Sequence, residues 1–567
     1  MDVTKSNFNE VLPKIKESIK NSSFMSIDCE LTGLNVARNI NAFDTPAEYY
    51  NKVRVNSRDF LVIQYGLSIF RYDSECDTFK HQSYNFYIFR KPYDKNIPDQ
   101  RFLCQTSSID FLITQGFDFN KLFKEGISYL NSVEEEKWKI NLEEKRKNSA
   151  VLRLNPNRDS IPIPDNLENF INDVVKILDN FLESNDTEVQ LPRCNAFARR
   201  LVYQTAAEKF GDRLNVETRQ MDKDRVLFAY KMRTKEEEEE IERKKYEEAL
   251  EAFDSYVGFS KVLKMVRESG KLIIGHNLCL DILHTIDKFI TPLPEDYQEF
   301  KQLTSAIFPM IVDTKYMSSS EKIKDLIPST VLKNVLDTVS ATPFEMPAHE
   351  IEEGAESYQI NDYKEHEAGY DAFITALSFA SMWKYLGKLE NKSPAETFGD
   401  HRLLNKVINR IFLMNLADNQ YINLQGNDLN PSRDHVFHLT FPKEWKFHNI
   451  TELFSPFGSV YISWIDETSA YVSLNKKEQS GVALNTLSQS DTYSIMTYRA
   501  RRAMLESKTN VAPVTGQRRK MSENISDIAE KRQKVEDNTE HDDSKWETVT
   551  KKGKRKGKTF KESTWDQ

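Results

Sequence analysis

Three short blocks, far apart in the chain, carry four acidic residues and a histidine, and their order constrains the fold more than any other feature. Met25-Ser26-Ile27-Asp28-Cys29-Glu30 comes first, then Gly275-His276-Asn277-Leu278-Cys279-Leu280-Asp281, then His366-Glu367-Ala368-Gly369-Tyr370-Asp371. If Phe24 to Leu31 is a strand, residues two apart share a face, and Asp28 and Glu30 point together into one site. Lys271-Leu272-Ile273-Ile274 reads as a strand that breaks at Gly275 into a helix from about Leu278 to Phe289, with Asp281 in its first turns. On one continuous helix His366 and Asp371 would lie roughly 140° apart. The reading therefore puts His366 on the loop entering a helix and Asp371 on the helix itself.

These residue types suit one chemistry. Phosphodiester hydrolysis needs a water made nucleophilic near neutral pH and a leaving oxygen whose growing charge is neutralised; a pair of divalent cations does both. Hard cations such as Mg²⁺ take oxygen ligands, which carboxylates supply, and adjacent carboxylates repel without cations between them. A histidine near neutral pKa suits proton abstraction from the attacking water. Singly, each block has a bland reading, because Asp-x-Glu recurs by chance in an acidic chain and a lone His is usually structural. Together, each at a strand end or helix start, they point to a metal-dependent nuclease.

At these residues the chain resembles the DEDD exonucleases of the histidine subtype and, within them, the poly(A)-specific ribonuclease (PARN) family. Gly33, Ser108-Ile109-Asp110-Phe111-Leu112, Gln115-Gly116-Phe117-Asp118-Phe119-Asn120-Lys121, Val257-Gly258-Phe259-Ser260, Ser269-Gly270-Lys271-Leu272 and Phe441-Pro442-Lys443-Glu444-Trp445 look like that family's signature stretches. The resemblance implies an α/β fold: a ribonuclease H-like exonuclease core, an inserted small α+β R-three-H-like domain and a C-terminal RNA-recognition-motif-like α+β domain. It implies metal ligands at Asp28, Glu30, Asp281 and Asp371, two Mg²⁺ ions and a general base at His366. It also implies an adenine track of Leu34, Ile109, Phe111 and Lys315, where apolar and aromatic side chains grip unpaired bases. Plain core packing is the alternative for Ile109 and Phe111. The activity implied is 3′-to-5′ removal of adenylates from the poly(A) tail of RNA as 5′-AMP, stimulated by a 5′ 7-methylguanosine cap, in a homodimer.

Composition agrees and narrows the classes. A chain of 567 residues with 39% hydrophobic residues suggests roughly three or four folded units. A net charge of -9 argues against indiscriminate coating of nucleic acid. Cys29, Cys76, Cys104, Cys194 and Cys279 show no paired or zinc-like spacing, so free thiols in a reducing compartment are expected. Neither an apolar signal core nor a run of membrane-spanning length is visible, so no membrane association is expected.

Composition shifts divide the chain into a first nuclease half over 1–150, an insertion over 166–235, a second nuclease half over 251–387, a compact segment over 433–502 and a tail over 506–567. Apolar strands are expected at Phe60 to Phe70 and Tyr84 to Phe89. The insertion reads as helices through Val174 to Leu178 and Phe197 to Phe210 and a strand at Val226 to Tyr230, with Lys235 to Leu250 a solvated helix. It occupies the place of the family's R-three-H domain, yet Phe197 stands four residues after Arg193 where the signature has histidine. Arg193, Arg199 and Arg200 could touch phosphates, or be merely solvated or dimer-facing. A polar linker is expected after Gly387.

In 433–502 the order strand, helix, strand, strand suits an RNA recognition motif, though Glu467-Thr468-Ser469 replaces the usual Lys/Arg-Gly start of its third strand. The resemblance assigns cap binding to Trp464, whose ring face attracts a cationic methylated base; half-buried packing is the alternative there and at Trp445. The tail is poor in large apolar residues and is expected to be disordered. Its clusters Arg518-Arg519-Lys520, Lys531-Arg532-Gln533-Lys534 and Lys551 to Lys556 fit nuclear import, with presence in nucleus and cytoplasm expected, or generic RNA adhesion. Two rival functions stand beside the deadenylase: a small-RNA 3′-end trimming exonuclease and a catalytically silent RNA-binding scaffold.

Overall fold

The sheet that carries the acidic blocks is sandwiched between two apolar layers. The computed structural model describes residues 1–34, 40–90, 100–154, 161–221, 224–231 and 235–509, and the chain divides into two units, Met1–Pro431 and Ser432–Gln567. The basic clusters of the tail lie outside the described residues.

The first unit begins with β1 (Asp2–Val3), β2 (Phe24–Leu31), β3 (Val62–Asp73) and β4 (Thr78–Tyr87). An excursion follows. Helices Ser132–Leu154 and Lys235–Val257 carry the chain out and back, held together by Trp138 against Phe253 and Tyr256. Between them, helices Asp165–Glu183 and Ala196–Phe210 share a core with a three-stranded sheet of β5 (Glu188–Gln190), β6 (Leu214–Met221) and β7 (Asp224–Lys231), ordered β5-β7-β6. Of these strands only β7 is expected from sequence. The chain then returns through β8 (Leu272–Gly275), β9 (Ile311–Asp313), β10 (Ala348–Ile351), β11 (Arg410–Phe412) and β12 (Tyr421–Asn423).

The large sheet runs β1-β4-β3-β2-β8-β9-β11-β12, with β10 also on β4. Strands β2, β3 and β4 are antiparallel, whereas β8 and β9 join in parallel. Alternation along β2 sends Met25, Ile27 and Leu31 into one apolar layer and Phe24 into the other, where the helix Ala368–Leu389 lies. Ser26 confirms the side, its hydroxyl donating to the carbonyl of Ala372. The polar linker expected after Gly387 is not there: β11 pairs with β9 and β12 with β11, and Ile411 and Ile422 are buried in the core. The nuclease sheet therefore extends past the expected boundary at 387.

The second unit contains β13 (Val436–Thr440), β14 (Val460–Asp466), β15 (Ser469–Leu474) and β16 (Ser494–Thr497), ordered β14-β15-β13-β16. Helices Phe447–Phe454 and Ser480–Leu487 pack on the face that presents Phe437, Leu439, Ala470 and Val472. The opposite face presents His438 and Tyr471 and is covered by a further helix, Tyr498–Thr509, whose Tyr498 ring lies 5.3 Å from Tyr471. His438 is buried there. A helix thus covers the sheet face at His438 and Tyr471, a device not read from the sequence, which attributes the impairment to the third strand alone.

Candidate active site

Asp28 and Glu30 lie near the end of β2, two residues apart on one face, opposite Gly66 and Gln64 of β3. β8 pairs with β2 only as far as Ser26 and ends at Gly275. With no neighbour beyond that point, this side of β2 is open. The chain turns there into the helix Cys279–Thr285, which sets buried Asp281 in its first turn.

Asp371 comes from the other layer. A Cβ on Gly66 would meet the Ala368 carbonyl oxygen at 1.9 Å, so only glycine lets the start of the helix Ala368–Leu389 rest against β3. The helix lacks a side-chain cap of its own. Its first N–H groups donate instead to buried acceptors of the sheet, Ala368 to Gln64 Oε1 at 2.9 Å and Gly369 to Asn85 Oδ1 at 3.2 Å. This docking brings one carboxylate oxygen each of Asp28, Glu30 and Asp371 within 4.8 Å of one another. Asp281 falls outside that tight trio.

Electrostatics nevertheless couples all four. Burial pushes the Asp28 carboxyl up to about 7. Burial, then the charge of Asp28, raises Glu30, Asp281 and Asp371 well above the ordinary carboxylate range. Four carboxyls, Asp281 buried and Asp28, Glu30 and Asp371 half-buried, form a donor set that fits hard divalent cations.

His366 stands on the loop before the helix, with φ +68, and its N–H donates to Asp371 Oδ2 at 3.1 Å. Desolvation lowers its pKa, so its ring is a neutral acceptor near pH 7. The Phe111 ring meets the histidine edge-on, centroids 4.7 Å apart, on the helix Thr106–Thr114 that also carries half-buried Ile109. Leu34, 54% exposed, is tied to the start of that helix through its N–H to Gln105 Oε1. Lys315 stands apart on the helix Thr314–Ser318, its ammonium 5.5 Å from the Phe412 ring centroid. In the second unit Trp464 is 42% exposed, edge-on to Phe441 at 5.4 Å, while half-buried Trp445 stacks on the same phenylalanine.

One carboxylate essential to this architecture escapes a sequence reading. Asp313, at the end of β9, is fully buried and accepts four backbone N–H bonds, from Asn277, Leu278, Lys315 and Phe412. It ties the turn before Asp281 to the helix of Lys315 and to β11. Burial raises its pKa, against the pull of the four donors. His276 braces the same turn through Thr314 Oγ1 and the Thr330 carbonyl.

A strand pair and two opposed helices bring four carboxylates together, with a histidine at the mouth, an arrangement suited to metal-dependent cleavage of phosphodiesters. Comparison with known proteins places it. Residues 3–379 match the model of the CAF1 family ribonucleases and residues 426–504 that of an RNA binding domain. The chain is 40% identical to the poly(A)-specific ribonuclease PARN of Xenopus laevis and 41% identical to that of Homo sapiens, each match covering 88% of this chain and 80% of the relative. The pre-piRNA 3′-exonuclease trimmer of Bombyx mori is 26% identical, over 88% of this chain and 93% of its own. The chain belongs to the CAF1 ribonuclease family and, within it, to the poly(A)-specific ribonucleases called PARN.

Proposed function

We propose that this ribonuclease shortens RNA from the 3′ end, removes adenylates as 5′-AMP and uses Mg²⁺ held by Asp28, Glu30, Asp281 and Asp371. The convergence of Asp28, Glu30 and Asp371, with Asp281 close enough to feel the charge of Asp28, carries the reading. Bound divalent cations supply an activated water and neutralise charge on the departing oxygen. His366 takes the proton of the attacking water on its neutral ring; the bond between phosphorus and the upstream 3′ oxygen breaks, and the terminal nucleotide leaves with its 5′ phosphate. Asp371 holds the backbone of His366, and the Phe111 edge limits how far its ring can turn. Leu34, Ile109 and Phe111 border this mouth with apolar surface on which an unpaired base packs.

Trp464 offers an exposed indole face to the 7-methylguanosine cap. Homodimerisation and nuclear import through the basic tail clusters belong to the same proposal and rest on the family resemblance and the sequence. The trimmer reading is weaker, because identity to the poly(A)-specific relatives is higher and an RNA binding domain matches residues 426–504. Shortening of 5′-labelled A-tailed and U-tailed RNAs, by wild type and Asp28→Ala, tests the proposal. Stepwise, Mg²⁺-dependent loss of adenylates, slower on uridylates and absent in Asp28→Ala, is expected. Equal trimming of both tails would favour a general trimmer, and binding without shortening would leave a scaffold.

A further inference from the structure

Beside the strand that underlies Lys315, the first unit has a cavity of about 560 Å³. That volume falls within the range of small-molecule sites. In its lining, Arg410 of β11 lies beside a pair of tyrosines, its guanidinium 5.9 Å from the Tyr316 ring centroid and 5.4 Å from that of Tyr421. The two rings are 4.7 Å apart. Arg410 makes no ion pair among the described residues, and its Nε is buried without an acceptor. A buried donor without a partner is costly, and the guanidinium plane matches phosphate geometry. Further cations, Lys322, Arg402 and Lys406, line the same cavity, each already paired with a carboxylate. Arg410 is the cation left for a ligand, and the tyrosines beside it are the surfaces on which a base stacks.

Position adds a second argument. Arg410 and Phe412 are two apart on β11 and share a face, and Phe412 lies under Lys315. Tyr316 follows Lys315 directly and packs against the same apolar layer as Phe24. By the alternation of β2, that is the face carrying Asp28 and Glu30. The cavity therefore lies on the same face of the sheet as the carboxylates, one step along the chain from a residue of the adenine track, but toward the far end of the helix Ala368–Leu389, whose Leu386 lines it about 22 Å along the helix from Asp371.

We infer that Arg410, Tyr316 and Tyr421 form a second nucleotide subsite, in which the guanidinium holds a phosphate and the tyrosines take a base. Its occupant is a nucleotide of the RNA upstream of the cleaved end. This assignment rests on the deadenylase reading; a free nucleoside monophosphate has the same chemistry and is separated by the test.

The test uses the full chain. Mg²⁺-dependent shortening of an adenylate trimer and of a fifteen-nucleotide adenylate is measured for wild type, Arg410→Met, Tyr421→Leu and Arg410→Lys, and AMP is titrated calorimetrically in chelator, where the metal site cannot hold it. Arg410→Met should raise KM for the long substrate about tenfold, leave its kcat and all trimer kinetics unchanged, and reduce the salt slope of binding by about 1. Arg410→Lys, which keeps the charge, should recover part of the KM, an outcome that loss of folding or packing would not give. Chelator-resistant AMP binding that is lost in Arg410→Met, with the long-substrate KM unchanged, would keep the subsite and make free nucleotide its occupant. An unchanged KM together with absent or unaltered AMP binding overturns the inference. Failure of the wild type to shorten either RNA would refute the activity reading alone, since the AMP titration still reports on the subsite.

Discussion

His366 and Asp313 show two different ways in which one side chain serves this site. His366 is neutral, exposed and steered by Asp371 and Phe111. Replacing it with Gln keeps the backbone bond and removes the proton acceptor. His366→Gln should lower kcat roughly 10²- to 10⁴-fold with little change in KM, read from single-turnover shortening of an A-tailed RNA. Asp313 touches no substrate in this reading. Its removal strands four backbone donors, so Asp313→Ala should cost at least about 3 kcal/mol in urea unfolding, with activity falling because Asp281 and Lys315 lose their common anchor. The contrast explains what could be read beforehand. Asp28, Glu30, His366 and Asp371 announce themselves through short-range spacing on a strand and at a helix start. Apart from nearby Lys315, the partners of Asp313 are main-chain groups from two distant segments, Asn277-Leu278 and Phe412, which no local pattern encodes. The Asp-Thr step at the end of Ile311-Val312 signals a helix cap, and Asp313 does cap Lys315, but the other three bonds are a product of tertiary packing.

At the scale of elements, the site depends on the start of the helix Ala368–Leu389 reaching β3. Gly66 makes that approach possible, and Gln64 and Asn85 make it specific by capping the helix from the sheet. Gly66→Ala forces a methyl into the Ala368 carbonyl and should destabilise the unit by about 1 to 3 kcal/mol. It should also shift Asp371 away from Asp28, raising the Mg²⁺ concentration for half-maximal activity while substrate KM changes little. A Gly66→Ala protein with wild-type Mg²⁺ dependence would contradict this account. Long elements were legible for the reason the helix is: Phe24 to Leu31 and the run after Asp371 carry many apolar residues in period. β11 and β12 were not, because each is three residues long and has a single buried apolar residue, Ile411 or Ile422, too few to show alternation. The helix Tyr498–Thr509 was missed for the opposite reason: its basic composition resembles the tail it leads into, whereas Tyr498 and Arg501 in fact face the sheet beside Tyr471 and His438.

For the whole molecule, the carboxylates and the buried histidines pull stability in opposite directions with pH. Asp28, at about 7, and its three neighbours have folded pKa values above the unfolded ones. Without cations their contribution is fully present below about pH 4 and is lost as pH rises through 7. His81, His276 and His284, pushed down to about 3 by burial, contribute stability that is present above about 6.5 and lost as pH falls toward 3. In chelator the two sets therefore largely cancel between about pH 4 and 6.5, and thermal stability should decline as pH rises above about 6.5, where the carboxyls act alone, and as it falls below about 4, where the histidines do. Divalent cations must displace the carboxyl protons to bind, so they should remove the alkaline decline and leave the acid one untouched. The measurement is Tm from pH 4.5 to 8.5 in EDTA and in Mg²⁺, with an Asp28→Asn, Asp371→Asn protein as control. The Mg²⁺ effect on Tm should be small at pH 5, grow through pH 7 and be much reduced in the control, whose alkaline limb in EDTA should be shallower because only Glu30 and Asp281 remain. A Mg²⁺ effect that is the same at pH 5 and pH 8 would mean that the carboxyls are ionised without cations, and that burial does not set their charge.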